Sequence, residues 1–328
     1  MSGPERDLDS PTTLMVVNTW SCDGGFYSLD TFEELSRFDT PRTPHEVRHD
    51  RKRNLIYISV PYRDGYYDEH KEKASELAVL DLLRREVVDV IDLAPEVGPH
   101  GMCLDPDADV LWLSVETDGG AVIGLDLETH QVIGRIPTGK GDGKPHWMTM
   151  TSDASKVYTA NKESHFASAI DLKEGRLIKQ IPVSGGSEDV ELSADESRLF
   201  ISSREDRALH VIDTTTDEEV DRVELDDVPG RLHLTTDGKL IVTHFHFPYQ
   251  TGGKREPGRI SIVDPDTLKQ VRSATVEEGP VDLTSSPDGK LGYICNARSG
   301  TIVEVDLDSM EITRKIDSGN APHGVVLF

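Results

Sequence analysis

The chain has 328 residues, 36% of them hydrophobic and 6% aromatic, which suffices for one large all-β domain with a substantial core. Its 35 Lys and Arg face 60 Asp and Glu, and the formal net charge of −25 argues against a nucleic acid or an anionic membrane as partner, because both would be repelled. No apolar stretch approaches the ~20 residues of a membrane span, and residues 1–12 lack the apolar run of a secretory signal.

Residues 1–12 read as a flexible tail and residues 13–328 as a single domain. Strands are predicted at 14–18, 25–30 and 33–38. The phrase Pro44-His45 then opens a periodic pattern. After His45 come runs at 55–59, 77–81 and 87–91. After Pro99-His100 they fall at 110–115, 121–126 and 131–136, and after Pro145-His146 at 157–161, 167–171 and 177–183. A fourth unit starts at Glu188, a fifth at Gly230 and a sixth near Val281. Pro322-His323 opens a last apolar run. These short β-rich segments, punctuated by Asp-Gly, Pro-Asp and Ser-Asp turns, read as strands.

The unit starts recur every 42 to 55 residues, the signature of a repeat architecture. Strand-ending aspartates at Asp30, Asp81, Asp126, Asp171, Asp213, Asp264 and Asp306 mark seven units, each aspartate suited to an Asx turn into an outer strand. The last unit has one strand at the C-terminus and finds its other three at the N-terminus, a closure that protects strand edges. The predicted fold is an all-β, seven-bladed β-propeller of four-stranded blades.

Tyr158-Thr159-Ala160-Asn161, Tyr293-Ile294-Cys295-Asn296 and Val16-Val17-Asn18 resemble the YVTN repeat, and this likeness extends over essentially the whole chain. By that resemblance the chain looks like the propellers of streptogramin lyase, lactonase-like enzymes and nitrous oxide reductase. The repeat implies a fold and not an activity. Carotenoid-cleaving oxygenases share only the geometry of four histidines on a seven-bladed propeller, and no catalytic residue carries over from any of these families.

In a propeller the first strand of each blade starts where the second ends, so two rings of side chains are expected at one mouth. The first is His45, His100, His146, Glu188, Gly230, Val281 and His323. The second is Asn18, Val60, Val115, Asn161, Ser203, His244 and Asn296. Imidazoles and a carboxylate converging on a narrow channel suit a divalent metal, whether Zn, Mn, Fe, Cu, Ca or Mg, and His45, His100, His146, Glu188 and His323 are the expected ligands. His146, Glu188 and His244 are the candidate acid–base groups. Arg231, Asp282, Trp147, Tyr67, His246, Asn161 and Asn296 are the candidate substrate contacts. Tyr67 and His246 lie on two longer connections that account for the wide repeat spacings. The competing structural reading is that Pro-His merely suits the turn into the inner strand, although units four to six make that turn without histidine.

Three functions follow. The first is a metal-dependent enzyme opening a lactone or eliminating across a ring in a small-molecule substrate. The second is an iron or copper redox enzyme using the same histidines, and the third is a non-catalytic propeller for protein interaction. Cys22, Cys103 and Cys295, odd in number and far apart, favour free thiols and a cytoplasmic setting.

Overall fold

The computed structural model describes residues 11–65, 70–105, 107–139, 144–246 and 254–328. They form seven four-stranded antiparallel sheets. Blade one runs outward from the axis as Val47–Asp50, Leu55–Tyr62, Lys73–Asp81 and Glu86–Asp92. Blades two to six repeat this order along the chain, and each inner strand packs beside the next until the ring closes on blade one. Blade seven sets Pro322–Leu327 against Thr13–Asn18, with Leu14 opposite Leu327 and Val16 opposite Val325. Asp23–Ser28 and Glu34–Asp39 complete it, so the predicted closure is present. Among the described residues the only helical turn is Thr117–Gly119.

Side chains stand perpendicular to a sheet, so the apolar residues of each blade point at the neighbouring blades and not at the axis. Tyr57, Leu77 and Ile91 of blade one meet Leu111, Leu113 and Ile123 of blade two, and the other blade pairs pack alike. The axis is thereby left to the inner-strand residues.

The turn aspartates do what their side chains allow. Asp81, Asp126, Asp171, Asp213, Asp264 and Asp306 each accept backbone N–H groups from the residues two or three further on. In blade seven Ser28 takes this place, its hydroxyl accepting from Asp30 and Thr31. Asp30 thus lies two residues beyond the equivalent position. On the outer strands a bulge displaces one exposed apolar residue per blade in six blades, among them Leu35, Ile133 and Val220. Bulges of this kind twist an open edge away from pairing with another chain.

Candidate functional site

A second set of bulges builds the axial site. In blade three Pro145 pairs with Asn161 and Met148 with Thr159, so His146 and Trp147 together oppose a single partner residue. Glu188 and Asp189 repeat this in blade four, and Gly230 and Arg231 in blade five. In blade one the His45 N–H donates to the Ser59 carbonyl while the Ser59 N–H donates to the Glu46 carbonyl, the same two-to-one arrangement. A bulge breaks the alternation of side chains, so two consecutive residues both reach the channel. Two glycines bring the strands close. A Cβ at Gly101 would lie 2.7 Å from the His146 carbonyl oxygen, and one at Gly324 would lie 2.5 Å from that of His45.

The four Pro-His imidazoles meet. His45 stacks on His323 with centroids 4.1 Å apart, and lies 5.5 Å from His100, which lies 4.7 Å from His146. His45, Glu46, His100 and His146 each offer one ligand atom, and these atoms lie within 4.8 Å of one another. Tetrahedral coordination at ~2.1 Å would bring donors to about 3.4 Å, a modest contraction. Two of the rings are held from behind. His100 Nε2 lies 3.0 Å from Glu116 Oε1, which leaves its Nδ1 facing Glu46 at 3.6 Å. His146 Nδ1 lies 3.2 Å from the Glu188 carbonyl oxygen and donates to it, leaving Nε2 for the site. Such outer partners fix the ring and tautomer of a metal-ligating histidine. Glu46 accepts from the Ser59 hydroxyl through Oε2 at 2.6 Å, while Glu46 Oε1 and His100 Nδ1 are buried with no hydrogen-bond partner among the described residues. Unsatisfied buried donor atoms of this kind are costly in protein alone, and an ion would satisfy them.

Burial and the neighbouring His323 hold the His45 imidazole well below its usual range, and burial with Lys162 takes His146 down to about 3. Both are neutral, as ligands must be. Burial opposes the charge on His100, but the Glu116 and Glu46 carboxylates on either side of it outweigh burial and raise the ring to about 9, so a metal at Nδ1 would have to displace a proton there. Burial likewise opposes the charge on Glu46, and the His45 and His100 rings beside it hold its carboxyl below the usual range.

The expected ligand Glu188 sits at the rim of this group. Its carboxylate takes Arg204 at 2.6 Å and Lys162 at 3.4 Å, with His146 Nδ1 at 3.8 Å, and Arg204 and Lys162 keep it ionised against its burial. The residue that the sequence reading missed is Glu46, and the signal was its position directly after His45 in a bulge. Arg231 and Asp282 do face one another, at 3.2 Å, and Arg231 also pairs with Asp189 while its guanidinium lies 3.1 Å from the centre of the Trp147 ring system. Nearby in the same inner strand, Glu191 is raised to about 8 by burial and by Asp189.

The expected second ring is turned away from the channel. His244 Nδ1 donates to the Val228 carbonyl and Nε2 accepts from the Ser261 hydroxyl at 2.6 Å, inside blade five. Asn161 donates to Phe166 and Ser168, and Asn296 to Ile294 and Thr301, each within its own blade. In blades two to five the next residue along the second strand faces the site instead, namely Glu116, Lys162, Arg204 and Phe245. One step in a strand reverses the face of a side chain. His246 pairs with Asp227 at 2.9 Å, and Tyr67 lies outside the described residues.

A cavity of about 20 Å³ adjoins the imidazoles, between His45, His146 and His323 on one side and Glu188, Gly230 and Val281 on the other. No helix among the described residues is long and apolar enough to cross a membrane.

No family model matches the chain. It is 23% identical to the uncharacterized protein YncE of Salmonella typhi over 234 residues, 67% of this chain and 61% of YncE. It is 25% identical to antigen Lp49 of Leptospira interrogans over 228 residues, 63% of this chain and 48% of Lp49. The chain therefore spans about three fifths and one half of these relatives. Among solved structures, the dihydro-heme d1 dehydrogenase NirN in complex with DHE aligns with a TM-score of 0.69 at 16% identity, over 99% of this chain and 77% of its own. Kuenenia stuttgartiensis hydrazine synthase aligns with a TM-score of 0.65 at 18% identity, over 81% and 77%. A functionally unknown protein from Desulfotomaculum acetoxidans aligns with a TM-score of 0.76 at 10% identity, over 96% and 98%. At these identities the structural likeness is one of fold.

Proposed function

We propose that this chain, a seven-bladed β-propeller of the YVTN repeat type, holds a divalent metal ion through His45, Glu46, His100 and His146 and uses it to act on a small molecule at one mouth of its channel. One observation carries the reading: four donor groups from three blades converge within 4.8 Å, and the far nitrogen of His100 is anchored by the buried carboxylate of Glu116. Three imidazoles and one carboxylate suit zinc, manganese or iron better than calcium or magnesium, which prefer all-oxygen sites.

When bound, the ion would supply Lewis acidity and lower the pKa of coordinated water. The chain's own residues do the rest. Glu116 and the Glu188 carbonyl orient two imidazoles, and the burial of His45, Glu46, His100 and His146 limits access of water. His323, kept neutral by burial and stacked on His45, is placed to take a proton. Hydrolytic or eliminative opening of a carbonyl compound such as a lactone is the form of this chemistry that we favour. A redox reading with bound iron or copper is supported by the names of two fold neighbours, a dihydro-heme d1 dehydrogenase and a hydrazine synthase.

Metal analysis of protein purified without an affinity tag or added metal tests the proposal. About one equivalent per chain, lost in His146→Ala and Glu46→Gln, is the expected result. Colourless zinc or manganese supports the hydrolytic form, and coloured iron or copper the redox form. Metal below a tenth of an equivalent, with no uptake on titration, would falsify the reading.

A further inference from the structure

The residue after each ring position builds a second layer beneath the imidazoles. In blade one it is Glu46, which turns to the histidines. In blades two and seven it is Gly101 and Gly324, where the strands approach too closely for a Cβ. Blades three to six supply Trp147, Asp189, Arg231 and Asp282, and these four side chains meet. The Arg231 guanidinium lies 3.1 Å from the centre of the Trp147 ring system, pairs with Asp189 through a terminal nitrogen, and pairs with Asp282 through Nε at 3.2 Å. A planar guanidinium can stack on a ring and donate in its own plane to two carboxylates at once.

Both carboxylates are held a second time. Asp189 accepts the Leu232 N–H at 2.7 Å and the Val190 N–H at 2.8 Å, and Asp282 accepts the Leu283 N–H at 2.9 Å. Trp147, Asp189 and Asp282 are all buried. A buried polar network whose members are paired is rigid. This one lies between two cavities that share no lining residue. The cavity of about 20 Å³ above it has Trp147 and Arg231 in its wall. The cavity of about 1030 Å³ at the other end of the channel is lined by His233, Thr284 and Val326, each two residues further along its strand than Arg231, Asp282 and Gly324.

We infer that Arg231 and Trp147 are the floor of the site: they close the channel beneath the metal, so that the ion and the substrate enter and leave by the Pro-His mouth alone. This rests on the metal-site reading for what passes the mouth, but not for the closure itself. Arg231 acts here as a positioning residue, through Trp147, whose ring stands at 89° to the His146 imidazole with centroids 6.1 Å apart. A closed floor also keeps the water of the larger cavity away from the imidazoles, and exclusion of water strengthens every electrostatic interaction inside a site.

The rates of metal loading and of metal release, each followed with a chromophoric chelator, test the floor. Arg231→Ala with Asp282→Asn removes the bulk and one charge of each sign, and leaves Asp189 on its two backbone donors. Arg231→Met with Asp282→Asn makes the same charge change and keeps the bulk over Trp147. A channel opened from below speeds loading and release alike and leaves affinity as it was, because access alters the barrier in both directions. Both rates should rise about tenfold or more in the Ala pair and stay near the native rates in the Met pair. Should the Ala pair fail to fold, Trp147→Leu trims the other half of the floor with every charge in place and should give the same rise. A second measurement needs no metal. In a chain carrying Trp20→Phe and Trp112→Phe, acrylamide should quench Trp147 weakly when Arg231 is native or Arg231→Met, and severalfold more in Arg231→Ala. That pattern of quenching supports the floor even if the metal reading fails. Native rates in the Ala pair, equal acceleration in the Ala and Met pairs, faster release without faster loading, or quenching that ignores Arg231→Ala, each overturns it.

Discussion

Nε2 of His100 lies 3.0 Å from Oε1 of Glu116, and both side chains are buried. Glu116 in turn takes the Tyr62 hydroxyl at 3.2 Å and Lys73 at 2.7 Å, so the carboxylate is itself held in place. A carboxylate behind a histidine sets which nitrogen faces the site. Glu116→Gln keeps the size and a hydrogen bond but loses the charge. Metal affinity should fall about 10- to 100-fold, read by competition with a chromophoric chelator. An unchanged affinity would show that Glu116 only packs.

Two carboxylates compete for the role of ligand, and they separate by substitution. Glu46→Gln removes a donor from the convergent group and should lower metal occupancy sharply. Glu188→Gln removes the buried carboxylate that pairs with Arg204 and Lys162 and should cost stability, roughly 3 kcal/mol if the site cannot relax, with metal occupancy retained. Metal content and denaturant unfolding on the same preparations distinguish these outcomes.

His244 belongs to the frame of blade five. Both ring nitrogens are satisfied, by Val228 and Ser261. His244→Ala should lower stability by about 1–3 kcal/mol through the lost hydrogen bonds and leave metal content as it was. Loss of metal with unchanged stability would contradict this placement.

Glu191 makes stability depend on pH. Its carboxyl is raised to about 8, from an ordinary value of 4.5, by burial first and by Asp189 second. Between those values the folded chain keeps a proton that the unfolded chain has released, so the contribution of Glu191 to stability falls as pH rises from 4.5 to 8, then levels off. Glu191→Gln should therefore be nearly neutral at pH 4.5 and stabilising at pH 8, by roughly 1–3 kcal/mol after allowance for partial opening to solvent. Urea unfolding of both proteins across this range is the measurement, and a difference that does not vary with pH removes the assignment.

The linear order of residues determined the number of blades, the closing of the ring by Pro322–Leu327 against Thr13–Asn18, and the gathering of His45, His100, His146 and His323. These are matters of period, and a period is visible in a string of letters. Tertiary structure decided which neighbours of those histidines share the channel. Glu46 arrives through a bulge, and Glu116, Lys162 and Arg204 face the site where Val115, Asn161 and Ser203 had been expected. Each difference is a shift of a single residue. Because successive side chains on a strand point to opposite faces, such a shift exchanges channel for blade interior, and only the strand pairing says where the count begins.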